Sequence, residues 1–389
     1  MYKIISFVMA LFFSALSFFG IPFESPDLQH TTGIELVPNN DEIEYLQSVF
    51  ETETAWIASL QLENGAIPMT YSQNGELTVN PYFADFAALA LLDNSEKYAN
   101  HVKAYLAWHF SRLNTAATDY NGIDGTIYDY TVTVENGKIT KETSKQSYDS
   151  TDSYAATFLT VLNKYHEKTG DKEYLVSKAN DIKRIVNAML STMHNGLTFA
   201  KPDYEVKYLM DNCEVFEGIT AAIELFEKAI CPNDTTCTDT LESLKDAQTE
   251  MKKAFDRSFW NYFGSYYKPA ITKTNANALD FSWNNYYPSA TAQLFPIICG
   301  VIAPDTGRAH SLYNQFCLSY EWEKLEIPDS FCWGSNAYAA ALMNDIESVM
   351  CYMRTYNEKF NNHQYPLYNA DSAKVAMAAK IIIDNAKVS

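Results

Sequence analysis

Asp149 and Asp152 stand three residues apart, with Tyr148 and Tyr154 just outside them. An apolar run containing Ala155, Ala156, Phe158 and Leu159 follows at once. Carboxylates can move protons or carry charge, and a tyrosine offers an apolar ring face with a polar tip. The grouping of acid and aromatic residue recurs at 80–85 (Tyr82, Phe83, Asp85), 208–214 (Tyr208, Asp211, Glu214), 280–287 (Asp280, Trp283, Tyr287), 328–333 (Asp329, Trp333) and 365–371 (Tyr365, Tyr368, Asp371).

A cavity lined with carboxylates and rings suits hydrolysis of a glycosidic bond. One carboxylic acid protonates the leaving oxygen, a second carboxylate activates water or attacks, and rings hold the sugar. The catalytic candidates are Asp152, Asp149, Glu214 and Asp211. Tyr148, Tyr154, Tyr208, Trp283, Trp333, Asp85 and Glu63 are the expected substrate contacts. A helix N-terminus favours a charged carboxylate, so Asp149 and Asp152 are expected to act as bases or anionic sugar contacts. A general acid needs apolar burial. Glu214, beside Cys213, Val215 and Phe216, and Glu63, before Gly65, Ala66 and Ile67, are the acid candidates. The competing roles are structural. Asp, Ser, Thr and Asn are preferred at helix starts, and the stretch from Asp149 to Asp152 resembles a capping box. Glu214 could equally be a hydrogen-bonded core residue and Glu63 a loop charge.

The elements that position these residues follow from hydrophobic spacing. Helices are expected at 43–60, 82–92, 95–113, 152–169, 172–193, 212–230, 239–258, 288–302, 305–320, 333–344, 346–360 and 371–386. Segments 82–92, 152–165, 212–230, 288–302, 333–344 and 371–386 are nearly all apolar or small, and a helix apolar all round must be buried. The intervening helices are amphipathic. Strict alternation predicts an all-α fold, a closed (α/α)6 barrel of outer and inner helices occupying 43–389 as one domain. Uneven spacing of the inner-helix starts argues against an open solenoid. Asn136 and Gly137 between alternating Thr and Val residues predict a β-hairpin excursion near 128–142. Asp119 to Asp129 looks superficially like a calcium loop but lacks a glutamate at the twelfth position, which predicts a plain turn.

The formal net charge is −19, which opposes binding to nucleic acid. Residues 1–20, with Lys3 before an apolar stretch, read as a signal peptide or N-terminal anchor, followed by an extended lead-in at 21–42. The expected location is therefore secreted or extracytoplasmic, with no membrane domain beyond that segment. Of seven cysteines, Cys231 and Cys237 are the expected disulfide, closing a short loop between two helices. No Cys-x-x-Cys or His-x-x-x-His pair appears, and neither does a phosphate-binding glycine loop or a Gly-x-Ser-x-Gly elbow. No metal and no cofactor are expected; the expected partner is a carbohydrate.

The alternation, the acid-aromatic helix starts and the stretch Asp149-Ser-Thr-Asp152-Ser-Tyr-Ala-Ala together resemble the six-hairpin glycosidase superfamily over about 43–386. The stretch looks most like the segment entering an inner helix in family 8 endoglucanases, with a different aspartate spacing. Glu63 to Met69 is similar to the segment that holds their acid. The resemblance implies a glycosidase that inverts the anomeric centre, and the segment at 1–20 makes it an exported one. A polysaccharide lyase and a non-catalytic carbohydrate-binding protein on the same scaffold are the alternatives.

Overall fold

The computed structural model describes residues 37–72, 75–232 and 235–388. The expected signal segment and most of the lead-in lie outside the described residues. Six inner elements form a ring. They are α2 (Pro81–Asp93), α4 (Asp152–Thr169), α7 (Leu209–Leu225), an irregular fifth member ending in α9 (Phe295–Ile298), α11 (Gly334–Leu342) and α13 (Asn369–Val388). Each packs on the next in that order, and α13 packs back on α2, closing the ring. Outside them lie α1 (Asn40–Ser59), α3 (Ser95–Phe110), α5 (Lys172–Ser177) with α6 (Ala179–Leu190), α8 (Thr238–Ala254), α10 (Gly307–Ser319) and α12 (Ile346–Phe360). The expected all-α double ring is therefore present.

Local chemistry sets these elements. Asn39 and Glu42 form a capping box at the start of α1. Asn80 caps α2, and Pro81 occupies its first turn, where the missing N–H costs nothing. Gly170 ends α4 in the left-handed conformation. Inner helices are buried nearly all round: Ala84 to Leu92 are all buried in α2. The outer α6 buries one stripe, Ile182, Ile185, Val186 and Met189. One continuous hydrophobic core joins the two rings. Within it α4 and α7 approach each other closely. A methyl on Gly218 would meet the Ala156 Cα at 2.6 Å, so only glycine lets these helices come so close.

Two expectations change. The inner helix expected at 288–302 is broken into a π-turn, Tyr286–Ala290, and the four-residue α9. Pro288 and Pro296 each remove a backbone donor, and Tyr287, preceding Pro288, is extended at φ −120°, ψ 133°. The expected continuous outer helix at 172–193 breaks at Lys178 into α5 and α6. The hairpin, β2 (Tyr130–Glu135) and β3 (Lys138–Ser144), gains a third antiparallel strand, β1 (Glu76–Val79), with Val79 opposite Tyr130. Four residues carry too little alternation to announce a strand.

The segment 259–287 contains short strands, Trp260–Asn261, Tyr266–Tyr267 and Ala270–Thr272. The last pairs with Val206–Tyr208, which leads directly into α7. Cys231 and Cys237 are disulfide-bonded. In the 119–129 stretch Asp119 accepts from the Asn121 and Ile123 N–H groups at 2.9 and 3.0 Å and from Thr126 Oγ1 at 2.7 Å, closing a turn on its own chain. Among the described residues no group of three His, Cys, Asp or Glu is arranged to hold a metal ion, and no helix is long and apolar enough to cross a membrane.

Candidate active site

A cavity of about 470 Å³ lies at the N-terminal ends of the inner elements. All six entrances reach it. α2 contributes Tyr82, the approach to α4 Asp149, and α7 Asp211, Glu214 and Glu217. The broken fifth element contributes Tyr287, the approach to α11 Trp333, and α13 Asp371 and Lys374.

Five residues expected from the sequence are brought together here: Asp149, Asp211, Glu214, Tyr154 and Trp333. Asp211 and Glu214 lie within the first two turns of α7, so their spacing of three puts them on one helix face. Tyr154 donates its hydroxyl to Asp129 Oδ1 at 3.1 Å, and Asn80 Nδ2 donates to the Tyr154 Oη at 2.6 Å. This ties the starts of α2 and α4 to the edge of the sheet. Trp333 sits at φ 52°, a left-handed conformation that is strained for a bulky residue. Its indole N–H donates to Asp329 Oδ2 at 2.8 Å, and the next backbone N–H, of Gly334, donates to Asp371 Oδ1 at 3.2 Å.

The other six expected residues do not line the cavity. Asp152 is fully buried behind it, with Oδ1 accepting from the Ser153 N–H at 2.9 Å. Asp85 is also fully buried and accepts from Tyr105 Oη at 2.7 Å and Thr157 Oγ1 at 2.8 Å, joining α2, α3 and α4 within the core. Tyr148 is buried against Tyr128, its hydroxyl directed at Asp119. Trp283 packs edge-on against Phe281, 5.2 Å between ring centres. Tyr208 stands outside the lining, paired by its hydroxyl with Tyr204. Glu63 is an exposed loop residue accepting from the Ile139 N–H at 3.1 Å, so the apolar burial expected of an acid is absent there.

The electrostatics separate the carboxylates. Burial, then the charge of Asp149, pushes the Asp211 carboxyl up to about 7. Glu214 is held well above the ordinary carboxylate range, chiefly by burial and then by Asp211, against the pull of a hydrogen bond that Tyr82 Oη donates to Oε1 at 2.5 Å. Asp152 departs from its expectation. Burial and the nearby Asp211 raise its carboxyl, because losing water outweighs the favourable helix end. Burial also raises Asp371 to about 6 and Glu217, while Lys374 and Cys299 hold Glu217 back. Lys374 is pushed down by burial and drawn back up by Glu217; its ammonium lies 4.2 Å from the Phe86 ring centre.

Glu217, Lys374, Asp371, Tyr82 and Tyr287 were not assigned from the sequence. Asp371, Tyr82 and Tyr287 stand in the acid-aromatic entrances. Glu217 follows Glu214 by three, completing a row Asp211, Glu214, Glu217 on one face of an apolar helix, a signal that was there to be read. Lys374 is a charge early in the apolar stretch of α13.

No protein-family model matches the chain, and no curated protein matches it. Solved structures do resemble it. A structure titled "Glycosidase Wild Type" aligns with TM-score 0.60 and 10% identity, covering 90% of this chain and 98% of that one. A rhamnosidase from Klebsiella oxytoca with rhamnose bound aligns with TM-score 0.55 and 12% identity, over 90% of this chain and 65% of that one. A GH76 alpha-mannanase from Bacteroides thetaiotaomicron aligns with TM-score 0.52 and 12% identity, over 92% and 99%. At this identity the likeness establishes the fold, a helical barrel shared with glycosidases.

Proposed function

We propose that the chain is an exported glycoside hydrolase that cleaves an oligo- or polysaccharide by carboxylate acid and base catalysis, with inversion. The observation that carries this reading is the meeting of Asp149, Asp211 and Glu214 in one cavity with Asp211 raised to about 7. A group with that pKa keeps much of its proton near neutral pH and can deliver it to a leaving oxygen. Asp149 is the complementary base, activating water from the neighbouring hairpin. Glu214, its carboxyl raised by burial and hydrogen-bonded to Tyr82, orients the substrate or the Asp211 carboxyl beside it. Trp333, Tyr154 and Tyr287 offer rings for the sugar.

Export rests on the apolar segment at 1–20, and inversion on the resemblance to the six-hairpin superfamily. A tie to the family 8 endoglucanases rests on the 149–156 stretch alone. The lyase alternative is disfavoured by charge. Lyase substrates carry uronate carboxylates, whereas this cavity is lined by Asp149, Asp211, Glu214, Glu217 and Asp371 against Lys374.

The test is a panel of soluble glycans read by reducing-end release, with proton NMR of the first product anomer. Release of an inverted anomer supports the reading. Retention removes inversion, an unsaturated product points to the lyase, and binding without release points to the non-catalytic protein.

A further inference from the structure

We infer that the mouth of the cavity continues outward as two arms of aromatic rings that hold a glycan chain longer than the cavity itself, an inference that rests on the glycosidase reading. A volume of about 470 Å³ is that of a pocket enclosing one small-molecule ligand. A polymer cut there must leave it over the surrounding surface.

Both arms begin in one loop. Trp333 lies 5.2 Å from the Tyr287 ring, which also lines the cavity and is 55% exposed. Tyr208 stands immediately before α7, three residues ahead of the cavity-lining Asp211, and begins the outer part of this arm. Tyr204 continues the arm, stacked on Tyr208 at 6.4 Å and 26°, with hydroxyls 3.1 Å apart and Tyr204 itself 46% exposed. The second arm starts at Phe331, two residues before Trp333. Phe331 stacks on Tyr368 at 5.5 Å and 25°, and both line the cavity. Tyr365 lies 6.4 Å from Phe331 and 6.1 Å from Tyr368 and is 59% exposed.

Large exposed rings gathered at one opening mark a binding surface rather than scattered solvent contacts. Tyrosine suits a sugar in particular, since its face covers the C–H side of the ring and its hydroxyl reaches the sugar hydroxyls. The occupant is a neutral glycan, because a chain of net charge −19 repels a polyanion.

The test compares substrate lengths. On a hexasaccharide of whichever glycan is cleaved, Tyr204→Ala and Tyr365→Ala each lower kcat/KM by roughly two- to tenfold. On an aryl monoglycoside of the same sugar, which fills only the cavity, the loss is absent. Phe263→Ala, on the exposed turn between the strands Trp260–Asn261 and Tyr266–Tyr267, changes neither value. Matching thermal melts exclude misfolding. Wild-type kcat/KM on the hexasaccharide in both variants overturns the arms and leaves hydrolysis standing. Absence of product from every glycan overturns hydrolysis, and native gels containing mannan or xylan then decide the arms. Retardation lost in the Tyr204→Ala/Tyr365→Ala protein supports them; equal migration of wild type and variant overturns them.

Discussion

Two sets of carboxylates in this molecule share a spacing of three residues and meet opposite fates. Asp149 and Asp152 are split, the first lining the cavity and the second fully buried. Asp211, Glu214 and Glu217 all line it. The difference is where the helix begins. Residues three apart share a face only when both are helical. α4 starts at Asp152, so Asp149 belongs to the incoming chain and points independently. α7 starts at Leu209, two residues before its first acid, so its row of acids stays aligned. Equal spacing in sequence is thus one signal inside a helix and another across its start.

The comparison can be broken by mutation. Asp149→Asn and Asp211→Asn are each expected to lower kcat about 10²- to 10⁴-fold on the cleaved glycan. Asp152→Asn is expected to lower it by less than about tenfold, because it is fully buried outside the cavity lining and acts on Asp211 only electrostatically. Steady-state kinetics with melts on the same proteins checks this. An Asp152→Asn loss as deep as that of Asp149→Asn would reunite the pair.

Packing between the two helices comes next. Gly218→Ala drives a methyl into Ala156 and is expected to destabilise the protein by about 1–3 kcal/mol, read from urea unfolding. No change would mean that α4 and α7 can separate without loss, and the alignment of their acids would lose its structural support.

The pH dependence sharpens the role of Asp211. Its protonated form is the donor, so kcat/KM is expected to fall as pH rises through about 7. In Asp211→Asn that alkaline limb disappears from the residual activity. Stability moves in the same sense. A carboxyl whose folded pKa lies above its unfolded value near ~3.9 contributes stability below the unfolded value, and that contribution is lost as pH rises through the folded one. Unfolding midpoints are therefore expected to fall between about pH 4 and about pH 7, with a shallower fall in Asp211→Asn. The smallest effect is expected from Tyr82→Phe. It removes the bond to Glu214 and lowers kcat/KM by about tenfold or less, with Glu214 shifted further upward.

Much of the ring was legible because burial writes itself into composition. A helix enclosed on all sides has to be apolar or small throughout, as in Ala84 to Leu92, and an outer helix has to keep one polar side, as in α6. The residue types at the helix entrances were legible for the same reason: acids and rings at six starts have no use in a uniform core. The fifth inner element was misjudged because apolar content outweighed the two prolines that interrupt it. Glu63 and Asp85 show the limit of local reading, since a carboxylate near apolar neighbours ends exposed in one case and sealed in the core in the other.

The chain by itself determined most of the helical segments, which of them go inside, and that acids and rings gather where the inner ones begin. Each depends on short-range periodicity or capping and survives without knowledge of neighbours. Tertiary structure alone decided that Asp149, Asp211 and Glu214 meet while Asp152 and Asp85 withdraw, that Lys374 shares the cavity with Glu217, and that burial pushes the Asp211 carboxyl up to about 7. Side-chain direction, loss of water and the field of distant charges arise only once helices far apart in sequence have closed into a ring.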